Sequence, residues 1–281
     1  MIKSLNKFMH TKRFFITYGD KIYEQSKRRI ARQAAETGLF DRIITFGRED
    51  VSEDVAVSPL FKQKKGGGYW LWKPNIVLKT LAEMDNGDIL VYADSGCTVH
   101  KDKEWSRYFD LLKEYNALVF LINGTNEEYT RRSIFEHFSG VGKHWHKRYQ
   151  IAATFFLLKK TPETVAFVQE WQDVMVSNPQ LVMDVADEER GKESLRFVEN
   201  RHDQSIFTAL AYKYQKVYRL KVLFNHFEGG IDRFRGQALI ASRISDEGSR
   251  GENRSLLRNI LLYLLAKPYR LLYQTYWVTR R

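Results

Sequence analysis

One block of this 281-residue chain constrains its fold more than any other: Gly66 to Cys97, GGGYWLWKPNIVLKTLAEMDNGDILVYADSGC. Ile89-Leu90-Val91-Tyr92-Ala93 is a short apolar run of the kind that forms a buried strand, and it stops abruptly at Asp94-Ser95-Gly96. A carboxylate at the carboxyl end of a buried strand stands where alternating α/β chains bind their ligands. Upstream, Pro74 suits the first turn of a helix predicted over 74–84, with Asn86-Gly87 turning into the strand. Lys73 then lies near a helix N-terminus, where anions are favoured. It is a candidate anion contact. Tyr69, Trp70 and Trp72 can stack on a sugar or base, or pack in the core, and Gly66-Gly67-Gly68 reads as a flexible loop.

The rest of the chain alternates in the same way. Strands are expected over 13–18, 41–46, 117–122, 152–158 and 217–220, with helices over 23–37, 163–176 and 205–214. Residues 184–199 are rich in acids and read as an exposed loop or short helix. This order predicts a single α/β domain with a mostly parallel sheet over residues 1–240. A Ser/Gly/Glu/Arg-rich linker is expected over 241–255 and a basic, aromatic amphipathic tail over 256–281.

Charge and cysteine content narrow the function. Ten of the eleven net positive charges lie at the two ends: residues 1–15 carry four bases and no acid, and residues from 250 onward carry seven bases against Glu252. A nucleic-acid-binding domain would carry its basic stripe on the folded face, so no nucleic-acid partner is expected. In the tail, Leu256, Leu257, Ile260, Leu261, Leu264 and Leu265 recur at helical spacing beside Arg254 and Arg258, and Tyr269, Tyr273, Tyr276 and Trp277 follow. That is the pattern of a peripheral membrane contact, or of a face packed on the body or on a second subunit. The one cysteine, Cys97, excludes an intrachain disulfide framework and reads as a small buried thiol. Residues 1–13 lack an apolar leader core, and no stretch approaches the roughly 20 apolar residues of a membrane span, so a cytoplasmic location is expected.

The second cluster is Asn200-Arg-His-Asp-Gln-Ser205, which leads into the helix over 205–214. Asp203 there is suited either to act as general base for an acceptor hydroxyl or to cap the helix.

Taken in order, FITYG, GGGYWLWKPNIVLKTL, GDILVYADSGC, ATFFLLKKT and NRHDQSIF resemble the GT-A-like glycosyltransferases of bacterial capsular and O-antigen polysaccharide synthesis, over about residues 13–230. The resemblance implies a nucleotide-sugar donor and a glycan or lipid-linked acceptor. It implies donor contacts from Thr17, Tyr18, Gly19, Trp70, Trp72, Lys73, Asp94, Ser95 and Gln204, and acceptor or sugar contacts from Gln150, His202 and Asp203. Asp94 and Asp203 are the candidate catalytic pair. Such enzymes hold Mn²⁺ or Mg²⁺ with an Asp-x-Asp. Here the triplet is Asp94-Ser95-Gly96, so a divalent cation would rest on Asp94, diphosphate oxygens and a late histidine, His226. Two other classes compete: a nucleotidyltransferase of similar fold, which would need a Gly-rich phosphate loop after the first strand, and a non-enzymatic glycan- or membrane-binding protein.

Overall fold

A computed structural model describes residues 11–142, 144–224, 237–246 and 248–249. Its centre is one seven-stranded sheet. The strands are β1 (Arg13–Tyr18), β2 (Arg42–Phe46), β3 (Ile89–Ala93), β4 (Ala117–Thr125), β5 (Tyr149–Ile151), β6 (Phe155–Lys159) and β7 (Leu220–Phe224). β1 pairs in parallel with β2 on one side and β3 on the other; β6 joins β3 to β4 by antiparallel pairing, and β7 lies parallel to β4. Five strands thus run one way while β5 and β6 run back, which matches the expected α/β class with a mostly parallel sheet.

The central strands are buried on both faces, as their unbroken apolar runs require. Side chains alternate across the sheet with the period of two that a strand imposes. Phe14, Ile16, Leu90, Tyr92, Phe156 and Leu158 face one core, and Phe15, Val91, Ala93, Phe155 and Leu157 face the other. The first face is covered by α2 (Trp72–Glu83), α4 (Pro162–Ser177) and α5 (His202–Tyr214). The second is covered by α1 (Glu24–Thr37) and α3 (Glu104–Glu114). Helix α3, absent from the expectations above, presents Trp105, Tyr108, Phe109 and Leu112 on one stripe, and all four are buried.

Three boundaries differ from expectation in ways that shape the site. Helix α2 begins at Trp72 rather than Pro74, so Lys73 lies inside its first turn. The strand expected over 152–158 is broken: β5 and β6 are consecutive pieces antiparallel to β4, with Ala152, Ala153 and Thr154 between them. The strand expected over 217–220 begins at Leu220, because helix α5 runs on into hydrogen-bonded turns through Arg219, whose φ is 53°.

Residues 238–246 are described and make specific contacts. Leu239–Ile240 pairs with Thr98–Val99, Ile244 N–H donates to Gly96 O at 3.1 Å, and Ser242 Oγ meets Thr98 Oγ1 at 2.7 Å. Asp246 accepts from the backbone amides of Gln25 and Ser26 at 2.9 and 2.8 Å, in the first turn of α1. Residues 238–246 are therefore strapped across the turn that follows β3. The expected amphipathic tail, 256–281, lies outside the described residues. No helix among the described residues is long and apolar enough to cross a membrane.

Candidate functional site

The chain leaves β1 toward β2 on one side and returns to β3 on the other, so the carboxyl ends of β1 and β3 flank a topological switch point. In open α/β sheets a crevice opens there. Asp94 is the first residue past β3, and its amide donates to Thr154 O at 2.9 Å.

Around Asp94 the structure assembles a charged core. Lys73 Nζ lies 3.3 Å from Asp94 Oδ1, 3.2 Å from Asp203 Oδ2 and 3.1 Å from the carbonyl of Ala153. Lys73 and Asp203 are buried, at 3% and 4% exposure, whereas the Asp94 side chain is 33% exposed. Burial opposes charge on Lys73, but the two carboxylates outweigh it and raise its pKa, so the ammonium persists. Asp203 is pushed up to about 6, first by burial, against the pull of Lys73, and with a further push from Asp94. One ammonium is shared by two carboxylates, and the more deeply buried of them bears the strain. Tyr92 Oη completes the cluster by donating to Asp94 Oδ1 at 2.5 Å. Asp94 Oδ2 is left without a protein donor among the described residues.

The break between β5 and β6 builds this arrangement. A broken strand frees backbone groups that must find partners elsewhere. The Ala153 carbonyl is taken by Lys73, and its amide donates to Gln204 Oε1 at 3.3 Å. Gln204 Nε2 in turn donates to Gln150 Oε1 at 2.9 Å, and Gln150 Nε2 donates to Thr130 Oγ1 at 2.8 Å. Gln150 and Gln204 thus belong to one chain of hydrogen bonds behind the carboxylates. Gln150 is fully buried, which does not fit the expected direct sugar contact.

The Gly66–Trp70 segment forms a second unit. It is a single left-handed turn rather than a flexible loop: φ is 58°, 62°, 106°, 50° and 59° at Gly66, Gly67, Gly68, Tyr69 and Trp70. Each non-glycine residue in that region carries roughly 1–2 kcal/mol of strain. Surrounding contacts hold the turn. Trp72 Nε1 donates to Gly66 O at 2.9 Å, and Arg48 donates to the carbonyls of Gly67 and Phe61 at 3.2 and 2.8 Å. Tyr69 Oη donates to Asp184 Oδ2 at 2.9 Å, and Trp70 stacks on His202 with ring centres 5.2 Å apart. His202 Nδ1 lies 2.6 Å from the carbonyl of Val182, and burial lowers the pKa of the ring. The ring, expected as an acceptor or sugar contact, is here a buried partner of Trp70.

The remaining candidates separate. Tyr18 stacks on Trp72 at 3.7 Å, and both rings are buried. Thr17 is wholly buried, and the Gly19 amide donates to Phe46 O at 3.0 Å, so these first-strand residues are core or turn positions. Ser95 is buried, and its carbonyl accepts from Arg29 at 2.9 Å. Cys97 is buried, as expected. His226 lies outside the described residues. Two further residues hold the arrangement, and local pattern marks neither: Tyr92 reads as one more apolar strand residue, and Arg48, which holds the Gly67 and Phe61 carbonyls, as one more base in a polar segment.

A divalent cation bridging the two aspartates does not fit these residues, because the Lys73 ammonium occupies the space between them. Among the described residues no group of three His, Cys, Asp or Glu side chains could enclose a metal ion. Asp94 Oδ2 is a carboxylate oxygen with no protein donor among the described residues, on a side chain that is one-third exposed.

No protein-family model and no curated protein matches the sequence. Solved structures do match in shape. A glycosyltransferase involved in glycosylation of the major capsid of PBCV-1 covers 90% of this chain and 99% of its own at 8% identity, with a TM-score of 0.43. Mouse xyloside xylosyltransferase 1 covers 77% and 87% at 10% identity, with a TM-score of 0.42. A 4-diphosphocytidyl-2C-methyl-D-erythritol synthase from Anaerococcus prevotii covers 76% and 89% at 11% identity, with a TM-score of 0.39. Similarity at this level assigns no activity to the chain.

Proposed function

We propose that this protein is a glycosyltransferase that moves a sugar from a nucleotide-sugar donor to a glycan or lipid-linked saccharide acceptor. The observation that carries the proposal is Asp94. It is a half-exposed carboxylate at the β1–β3 switch point, fixed by Tyr92 and backed by the buried Lys73–Asp203 pair. In the transfer, an acceptor oxygen bonds to the anomeric carbon as the bond from that carbon to the diphosphate breaks. The diphosphate keeps the electron pair and the acceptor releases its proton.

Asp94 Oδ2 is the carboxylate oxygen open to that hydroxyl or to a donor hydroxyl. Lys73 acts from behind: its contacts are to Asp94, Asp203 and Ala153 O, so it fixes Asp94 rather than gripping diphosphate directly. Asp203 holds Lys73. No metal-bound step is needed for these roles, although a cation carried in with the diphosphate could meet Asp94 Oδ2 as its single protein carboxylate.

The segment after β1 argues against nucleotidyl transfer. Gly19 donates its amide to Phe46 O, and Asp20 caps the short turn Lys21–Tyr23, which leaves no Gly-rich phosphate loop. Peripheral attachment to the cytoplasmic face of a membrane through the tail beyond residue 255 belongs to the same proposal, since a lipid-linked acceptor lies there.

A thermal-shift screen of UDP, GDP, CMP and dTDP, each with and without Mn²⁺, tests the reading. One nucleotide should raise the melting temperature of the wild-type protein. The matching nucleotide-sugar should then be turned over, and Asp94→Asn should lower turnover about tenfold or more while the variant stays folded. No shift with any nucleotide, or full turnover in folded Asp94→Asn, rejects it.

A further inference from the structure

A cleft of about 360 Å³ lies apart from the charged cluster, lined by Glu127, Arg132, Phe135, Trp145, His146 and Glu193 among others. That volume lies within the range of about 300–1,000 Å³ typical of small-molecule sites. We propose that this cleft binds a neutral saccharide, and that it holds a sugar unit of the acceptor at a distance from the transferred one. The second half rests on the transferase reading; the first does not.

The lining has the two surfaces a pyranose needs. Phe135 and Trp145 pack with ring centres 4.5 Å apart and offer an apolar wall for the C–H face of a sugar ring. Against it stand two half-buried carboxylates with spare acceptor capacity. Glu127 Oε1 accepts from Ser194 Oγ at 2.8 Å, and Glu193 Oε2 accepts from the Arg132 amide at 2.6 Å. The other oxygen of each has no protein donor among the described residues. A carboxylate only accepts, so these oxygens call for a ligand rich in donors, which hydroxyl groups supply. Two carboxylates disfavour a phosphate or other anion. Arg132, whose Nε donates to Glu136 at 2.7 Å, lines the same cleft and disfavours a compact cation. A neutral polyol satisfies all of these groups at once.

The cleft is also joined to the transfer site. Thr130 lines it and accepts from Gln150, which is bonded to Gln204 beside Asp203. The neighbouring Tyr129 carbonyl accepts from Ser205 Oγ at 2.8 Å and from the Arg201 amide at 3.1 Å, at the start of α5. The cleft and the transfer site are therefore coupled through the protein interior by one chain of hydrogen bonds.

The test is saturation-transfer NMR on the full chain with the methyl glycosides of glucose, galactose, mannose and N-acetylglucosamine, and without any donor nucleotide. At least one glycoside should receive saturation from the wild-type protein. The signal should fall about fivefold in Glu127→Ala, the effect of one lost hydrogen bond. It should also fall in Ser139→Trp, which fills the cleft from an exposed position without touching the core. No transfer to any glycoside, or a signal unchanged in folded Ser139→Trp, would each overturn the proposal. Failure of the nucleotide screen alone would leave saccharide binding intact and remove only its role in transfer.

Discussion

At the scale of single residues, the centre is a contest over one ammonium. Lys73 neutralises only part of the charge of Asp94 and Asp203, and Asp203 resolves the deficit by holding its proton to about pH 6. The causes have opposite signs, so they can be separated by substitution. Burial raises the Asp203 pKa and survives either change. Lys73 lowers it, so Lys73→Met should raise it further, while Asp94 raises it, so Asp94→Asn should bring it down. Carboxyl-carbon NMR titration of the three proteins reads this directly, and a lower value in Lys73→Met would refute the shared-ammonium account. The same shift sets a stability slope. Between its unfolded value of 3.8 and about 6, the folded state binds the Asp203 proton more tightly than the unfolded one. This residue's contribution to stability therefore falls as pH rises through that window and is level above it.

At the scale of elements, the left-handed turn before α2 and the break before β6 bring the lysine and the carboxylates together. Gly68 is the residue the turn cannot exchange. Its φ is 106°, and a Cβ there would lie 2.6 Å from Phe61 Cα, a backbone atom that cannot step aside. Gly38, which ends α1 at φ 69°, has open space where its Cβ would go. Gly38→Ala should therefore cost about 1 kcal/mol of backbone strain, whereas Gly68→Ala should cost clearly more and should disturb Trp70 and Lys73 with it. Urea unfolding of both variants compares them, and equal losses would mean the turn is not sterically fixed. The strand Ile89–Ala93 and the carboxylate at its end were legible in the sequence because an apolar run and its stop are local signals. Lys73 and Asp203 were legible as site residues, but their meeting at Asp94 was not. Lys73, Asp203 and the Ala153 carbonyl come from three separate segments, and the break that exposes Ala153 lies inside an apolar run that reads as unbroken strand. Gln150 and His202 were found as polar residues beside strands and helices, yet their burial depends on Thr130, Trp70 and Val182, which local pattern does not bring near.

At the scale of the whole molecule, the chain closes on itself where the site opens. Residues 238–246 cross the Asp94–Cys97 turn and are fastened at both ends: by pairing with Thr98–Val99, and by Asp246 on the first-turn amides of α1. The amide contacts draw the Asp246 pKa down against its partial desolvation, a sign that the charged carboxylate is the form bound. An anion at a helix N-terminus gains from the exposed amides and from the helix dipole, but at this surface solvent screens most of that gain. The latch is therefore weak relative to the core. Asp246→Ala should raise amide hydrogen exchange at Gln25, Ser26 and Ile244 severalfold, while exchange in β1 and β3 and the melting temperature change little. An effect spread over β3 would mean that the strap is part of the folding core. Unchanged exchange at Ser26 would mean that the pairing with Thr98–Val99 alone holds it. If the local loosening is seen, the Asp94 turn is covered by a segment that the protein can release without unfolding.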